Sequence, residues 1–318
     1  MKQYDGNVPG ASLLVVRDGK SIVRRSYGLA DVEHHVAATP ATNYRLASVT
    51  KQFTAAAILL LAQDNKLFLS DKASKYLPSL PKSDSSITLH HLLTHTSGLI
   101  DYEDLMADGT TKQVHDADVL HLLESADSLY FPPGTSYKYS NTGYSLLSLI
   151  VERVSGKPFA DFLHERIFTP LGMTNTVAHR DGFDTVPHRA FGYRLTNGTW
   201  MQRDQSSTSA VLGDGGIYSS IDDMAKWDAA QYDSRLLNEE WRRVAFTPHT
   251  PTDEPGTSYG FGWRITGETI WHSGETTGFR NVIVRYPAKH LTVVILTNRN
   301  DPGPYETALA VAKIVGIK

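Results

Sequence analysis

Ser48 and Lys51 stand three residues apart in Arg45-Leu46-Ala47-Ser48-Val49-Thr50-Lys51, directly ahead of an apolar run. On a helix that spacing is about one turn, so the hydroxyl and the amine share a face. Serine alone is a poor nucleophile. A lysine desolvated enough to give up its proton can take the serine's. The pair is a candidate nucleophile and base. The same residues also fit a serine cap followed by a solvated lysine. The spacing recurs in Ser79-Leu80-Pro81-Lys82, where Pro78 and Pro81 break any helix and mark a loop.

Two further clusters carry chemistry. Tyr139-Ser140-Asn141 lies between a turn-rich stretch, Phe131-Pro132-Pro133-Gly134-Thr135, and a predicted helix. Asn141 suits a helix cap. Alternatively, the loop presents a phenol and an amide to a site: a tyrosine beside a cation can shuttle protons, and an amide can hold both a carbonyl and a lysine. The run Trp271-His272-Ser273-Gly274-Glu275-Thr276-Thr277-Gly278-Phe279 ends one predicted strand and leads into the next. A Ser-Gly pair there lets a substrate backbone approach closely. His272 is either structural or placed to tune a tyrosine or orient a substrate.

The elements that must position these residues follow from the patterning. Ala11 to Val16 and Ser21 to Tyr27 are β-rich runs around Asp18-Gly19, a hairpin signal. Val49 to Gln63 reads as a helix apolar on most sides. From about residue 71 to 204 the strand signal fades, and helical pieces alternate with breaks: Thr88 to Leu93, Asp116 to Ser125, Gly143 to Ser155 and Pro158 to Ile167. Ser155-Gly156 and Leu171-Gly172 are stops. Strands return at Tyr259 to Thr266, Thr269 to Ser273, Phe279 to Tyr286 and Leu291 to Thr297, with a last helix from Tyr305 to Ile317. The expected architecture is mixed α/β (α+β): an antiparallel sheet flanked by helices, from residues 1–70 plus 205–318, interrupted by a mainly helical insertion over 71–204.

Composition narrows the function. The 318 residues carry a formal net charge of −3 and scattered Lys and Arg, which argues against a nucleic-acid binder. No cysteine is present, which removes disulfides, thiol catalysis and Cys-based metal sites. The longest purely apolar run, Ala55 to Ala62, is far short of a membrane span. His91 and His95 have zinc-like spacing, but no Glu follows His91. Gly213 to Gly216 lacks the Lys-Ser/Thr of a phosphate loop and reads as backbone packing. No Gly-x-Ser-x-Gly elbow occurs. No metal or other cofactor is expected.

In this order and separation, the three clusters resemble those of the serine β-lactamase and penicillin-binding-protein superfamily, most closely the branch of class C β-lactamases, family VIII esterases and D-aminopeptidases. That branch carries Ser-x-x-Lys, Tyr-x-Asn and then Lys-Thr-Gly or His-x-Gly. Leu92-Leu93-Thr94-His95-Thr96-Ser97-Gly98-Leu99, Leu212 to Ser220 with Asp222 to Trp227, and Tyr259-Gly260-Phe261-Gly262-Trp263 also resemble family segments. The resemblance covers nearly the whole chain. It implies a β-lactamase/transpeptidase-like fold with the site between its two parts.

It also implies a serine hydrolase in which Ser48 forms an acyl-enzyme that water releases, with Lys51 and Tyr139 sharing the proton work. Asn141 would position Lys51 and substrate, and the backbone N–H groups of Ser48 and Glu275 would form the oxyanion hole. His272, Ser273 and Gly274 would contact substrate. His272 replaces the permanent cation of the lysine form, and Glu275 is a carboxylate where a small residue is expected. Both features favour short-chain neutral esters or amides over β-lactams and D-Ala-D-Ala peptides, which are the alternative. Arg280 is a candidate for the missing charge, with a solvated strand residue as its other reading. A non-catalytic binding protein of the same fold is the alternative of another class. The expected partner is a small-molecule ester, amide or peptide; oligomeric state stays open. Relatives of this kind often face the bacterial periplasm, so an exported mature domain is expected, with a cytoplasmic protein as the other possibility.

Overall fold

Leu13 and Val15 point to one side of their strand and Leu14 and Val16 to the other, and all four are buried. A strand buried on both faces must lie inside a sheet covered on both sides. A computed structural model of the chain, describing residues 1–316 apart from 82, 84 and 127, has that arrangement. Strands β1 (Ala11–Arg17) and β2 (Lys20–Tyr27) form the expected hairpin, with Asp18 and Gly19 both at positive φ. The chain returns to this sheet only after residue 249. It then adds β3 (Thr250–Pro251), β4 (Thr257–Tyr259), β5 (Arg264–Thr266), β6 (Thr269–Thr276), β7 (Phe279–Tyr286) and β8 (Leu291–Thr297). The sheet is eight-stranded and antiparallel, in the order β3-β4-β5-β6-β7-β8-β1-β2. The N-terminal hairpin thus closes onto the last strand, with Ala11 opposite Thr297.

Helix α1 (Lys51–Gln63) lies on one face. It is buried from Lys51 through Ala62, as its nearly all-apolar sequence requires. Two further helices, α2 (Asp116–Glu124) and α3 (Asn141–Ser155), belong to the block between the strands, and α3 ends on left-handed Gly156. Helix α4 (Tyr305–Ile314) covers the opposite sheet face, where Ala308 and Ala312 pack on Val15, Val282 and Val293. One core runs from Leu14, Val294 and Leu296 through α1 to Leu146 and Phe162, so the sheet and the helices of the middle block share their packing.

Some elements differ from expectation. The helix predicted from Val49 starts at Lys51, and a 3₁₀ turn over Ala47–Thr50 precedes it. The strand predicted over Tyr259 to Thr266 is broken between Tyr259 and Arg264, because Phe261 and Trp263 turn into the core instead of staying in the ladder. The middle block also holds a hairpin, Tyr193–Thr196 with Thr199–Gln202, around Asn197-Gly198. That dipeptide is itself a strong hairpin signal. Of the second Ser-x-x-Lys, Lys82 lies outside the described residues.

Candidate active site

Ser48 sits in the 3₁₀ turn rather than on the helix, half-buried. Ala47 before it has φ +51°, a left-handed conformation that L-residues seldom adopt. The turn is tied down from two directions. The Leu46 N–H donates to the Ile217 carbonyl at 2.8 Å, and the Asn281 side chain on β7 donates to the Arg45 carbonyl at 2.7 Å.

Lys51 is the first residue of α1 and is fully buried. Its ammonium donates to Ser48 Oγ (3.2 Å), Asn141 Oδ1 (2.8 Å) and the Asp214 carbonyl (3.0 Å). These three acceptors match its three protons. The solvated-lysine reading is therefore wrong for this residue. Asn141 is not the cap either. Ser140 caps α3 by accepting from the Gly143 N–H at 3.1 Å, which leaves the Asn141 amide free to turn towards Lys51. The Asn141 Nδ2 donates to Glu103 at 3.3 Å, so its oxygen meets the cation and its nitrogen the carboxylate.

The Tyr139 ring lies 4.9 Å from Lys51 Nζ, and its buried hydroxyl has no hydrogen-bond partner among the described residues. Behind it the His95 ring packs at 4.3 Å, and His95 Nδ1 accepts from the Ser140 N–H at 3.0 Å. Burial and the charge of Lys51 push His95 well below the usual histidine range, so it is neutral. His91, its partner in the zinc-like spacing, accepts from the Thr88 N–H in a capping box.

His272 is buried within this aromatic group, its ring 6.2 Å from that of Tyr139. Its Nε2 meets the Tyr259 hydroxyl at 2.9 Å and its Nδ1 the Ser273 carbonyl at 2.6 Å, where Nδ1 must be the donor. Burial, reinforced by Arg264, lowers its pKa to about 3. The structure places His272 against Tyr259, and the nearest side chain that can bring a permanent positive charge to the group is Arg264.

Strand β6 pairs with β5 only from Thr269 to Trp271, whereas its pairing with β7 runs on to Thr276. The far half of β6 therefore offers one edge to the Ser48 turn. Gly274 makes this possible: a Cβ there would fall 2.0 Å from the Leu46 carbonyl oxygen and 3.2 Å from Val49 N. The glycine thus admits the protein's own backbone, where the sequence had suggested the substrate's. Ser273, one residue before it, is half-buried. Glu275 is exposed and stands opposite Arg280 across the β6–β7 ladder, with Arg280 Nε 3.4 Å from its carboxylate. Arg280 also donates to the Thr276 and Phe279 carbonyls, so its charge serves Glu275 and the local turn rather than the tyrosine.

Arg45, Ser48, Glu103, Asn141, Asp214 and Glu275 are among the residues lining one small cavity of about 60 Å³. A much larger cleft, about 650 Å³, lies elsewhere, between the helical run around Phe168 and the segment around Arg180. It contains none of these groups. Asp214 and Glu103 were missed from the sequence. Burial raises the Asp214 carboxyl to about 7, with Lys51 opposing the shift, and the Tyr102 hydroxyl meets it at 3.3 Å. Burial also raises Glu103, reinforced by neighbouring Asp101. Asp214 stands inside the glycine-rich stretch, whose packing role holds at Gly213: a Cβ there would reach the Tyr144 carbonyl at 2.3 Å.

Known proteins resemble this chain along nearly its whole length. The beta-lactamase family model matches residues 1–315. Penicillin-binding protein 4* of Bacillus subtilis is 31% identical over 326 residues, covering 96% of this chain and 71% of its own length. Other curated relatives are spanned to as little as 60% of their length. The octameric penicillin-binding protein homologue of Pyrococcus abyssi superposes with a TM-score of 0.87 at 28% identity, over 97% of this chain and 74% of its own. D-amino acid amidase of Ochrobactrum anthropi SV3 superposes with a TM-score of 0.82 at 25% identity, over 97% and 94% of the two chains.

Proposed function

This chain belongs to the beta-lactamase family and is a serine hydrolase of that family, and we propose that it works through a Ser48 acyl-enzyme on short-chain neutral esters or amides. The observation that carries the reading is the bonding of Lys51, whose buried ammonium reaches both Ser48 Oγ and Asn141 Oδ1. Ser48 Oγ attacks the substrate carbonyl as its proton passes to the Lys51–Tyr139 pair, which enters the step one proton short, as an amine with a phenol or as an ammonium with a phenolate. The leaving group departs with a proton from the same pair. Water then attacks the ester and restores Ser48. The Ser48 and Glu275 backbone N–H groups receive the oxyanion, a contribution of about 3–4 kcal/mol per donor. Because those donors are backbone, the Glu275 side chain, exposed and paired with Arg280, takes no part in the oxyanion site.

The excess of carboxylates on this lining, Glu103 and Glu275 against Arg45, disfavours substrates with a carboxylate near the reacting carbonyl. It favours a second reading: amides or peptides of amino acids with a free ammonium group, which Glu103 and Glu275 can attract. The similarity to a D-amino acid amidase points the same way. Steady-state hydrolysis of p-nitrophenyl butyrate by the parent and by Ser48→Ala tests the main reading. Loss of turnover in the variant supports it, and survival of turnover removes Ser48 from the role. D-phenylalanine amide, assayed alongside, decides between the readings by its kcat/KM relative to the ester.

A further inference from the structure

Arg264 is the first residue of β5 and stands opposite Trp271, one position before His272. Its side chain is only 14% exposed and is paired with Glu254 at 2.8 Å. The guanidinium carbon lies 5.4 Å from the Trp271 ring and 5.8 Å from the Tyr139 ring. No other arginine among the described residues has a ring contact with the tyrosines and histidines around Tyr139. The hydroxyls of Tyr137 and Tyr139 are both buried without a hydrogen-bond partner among the described residues. A phenol in that state has little to hold a negative charge except nearby cations, and Lys51 and Arg264 both contact the Tyr139 ring.

We propose that Arg264 is a positioning residue for the acyl-transfer reaction: its fixed positive charge holds Tyr139 ready to take and return the proton, in place of a cation at position 272. The proposal rests on the acyl-transfer reading above. The chemistry sets the division of labour. Lys51 must carry and release a proton during the cycle, so its charge varies. An arginine keeps its charge at every working pH, so Arg264 supplies the constant part of the field. It also keeps His272 neutral by like-charge repulsion, in line with the burial of that ring. Other groups face Tyr139 or its cation: His95 and Tyr144 from the helical block, Tyr137 from the same loop, Tyr259 and His272 from the sheet, and Glu254 across Arg264. Among the described residues, Glu254 is the one ion-paired with the guanidinium.

The test is the pH dependence of kcat/KM for p-nitrophenyl butyrate in Arg264→Met, Arg264→Lys and Glu254→Gln, with thermal unfolding of each. Removing the fixed cation weakens the field at the Lys51–Tyr139 pair, so the acid limb of kcat/KM in Arg264→Met moves up by on the order of one pH unit. Arg264→Lys recovers at least half of that shift. Glu254→Gln moves the limb the other way, since it removes the opposing charge and leaves the arginine in place. A packing role alone, against Trp271, lowers unfolding temperature and kcat without moving the limb. An unmoved limb in Arg264→Met, or in Glu254→Gln if the methionine variant does not fold, overturns the proposal. Ser48→Ala in the same series separates the two claims. If it keeps turnover, the acyl-transfer reading fails; if it is inactive while the limbs coincide, only the role of Arg264 fails.

Discussion

Replacing Gly274 by alanine strikes the contact on which the proposed oxyanion site depends. The new methyl carbon would sit 2.0 Å from the Leu46 carbonyl oxygen, where ordinary contact begins at 3.4 Å. The shortfall is about 1.4 Å, and neither side yields cheaply, since both neighbours are backbone in a close-packed interior. Leu46 is held by Ile217, and β6 is held by β7 from Ile270 to Thr276. The strand and the Ser48 turn must therefore separate by about an ångström, and the two N–H donors move apart with them. Misplacement on that scale costs on the order of 10²-fold in rate, and complete loss of one donor about 10²- to 10³-fold. We expect kcat/KM to fall by about 10²- to 10³-fold, chiefly in kcat. Overpacking should cost a further 1–3 kcal/mol, roughly, in stability. Stopped-flow measurement of the acylation burst, beside urea unfolding, separates the two effects. A folded Gly274→Ala protein whose acylation rate stays within roughly threefold of the parent refutes the reasoning.

Other consequences follow from single contacts. Asn141→Ala removes the 2.8 Å acceptor from Lys51; a hydrogen bond to a charged group is worth about 1.5–3 kcal/mol, so kcat/KM should drop roughly 10- to 100-fold, read in the same ester assay. His272, lowered to about 3, binds fewer protons folded than unfolded below pH 6.5, so its contribution to stability is lost as pH falls, by about 2 kcal/mol between pH 7 and 5. Asp214, raised to about 7, has the opposite sign: it opposes folding above pH 7, and this cost is relieved as pH falls. Asp214→Asn should therefore steepen the loss of stability between pH 7 and 5 in urea titrations; an unchanged slope would count against the Asp214 assignment. Asp228→Ala strands Arg285, which is 1% exposed and bonded to Asp228 at 2.7 Å, and should cost about 3–5 kcal/mol by chemical denaturation.

Much of this site was legible because its parts are local in sequence. Ser48 and Lys51 are one turn apart whether that turn is 3₁₀ or α, so the pairing survived a wrong helix start. Strands β7 and β8 were read to the residue, since their apolar β-branched runs are bounded by Gly278, Pro287 and Asn298. What sequence could not supply was the direction of side chains between distant segments. Arg280 follows the His-Ser-Gly motif closely, yet strand pairing sets it against Glu275. Arg264, before that motif, reaches the tyrosine because β5 and β6 pair at Trp271. Gly274 looked like space for a substrate, and only the packing of β6 on the Ser48 turn gives that space to Leu46. The hairpin around Asn197-Gly198 was legible and went unread, because the helical patterns on its N-terminal side set the expectation for the whole block.

The most direct test of the central claim is to trap the acyl-enzyme. The protein, mixed with p-nitrophenyl butyrate and quenched in acid within the burst, is digested and analysed by mass spectrometry. A butyryl group on the peptide containing Ser48, at Ser48 itself and absent from Ser48→Ala, is the predicted result. Turnover with no acylated Ser48, or a butyryl group carried by another residue at the same rate in parent and variant, would contradict it.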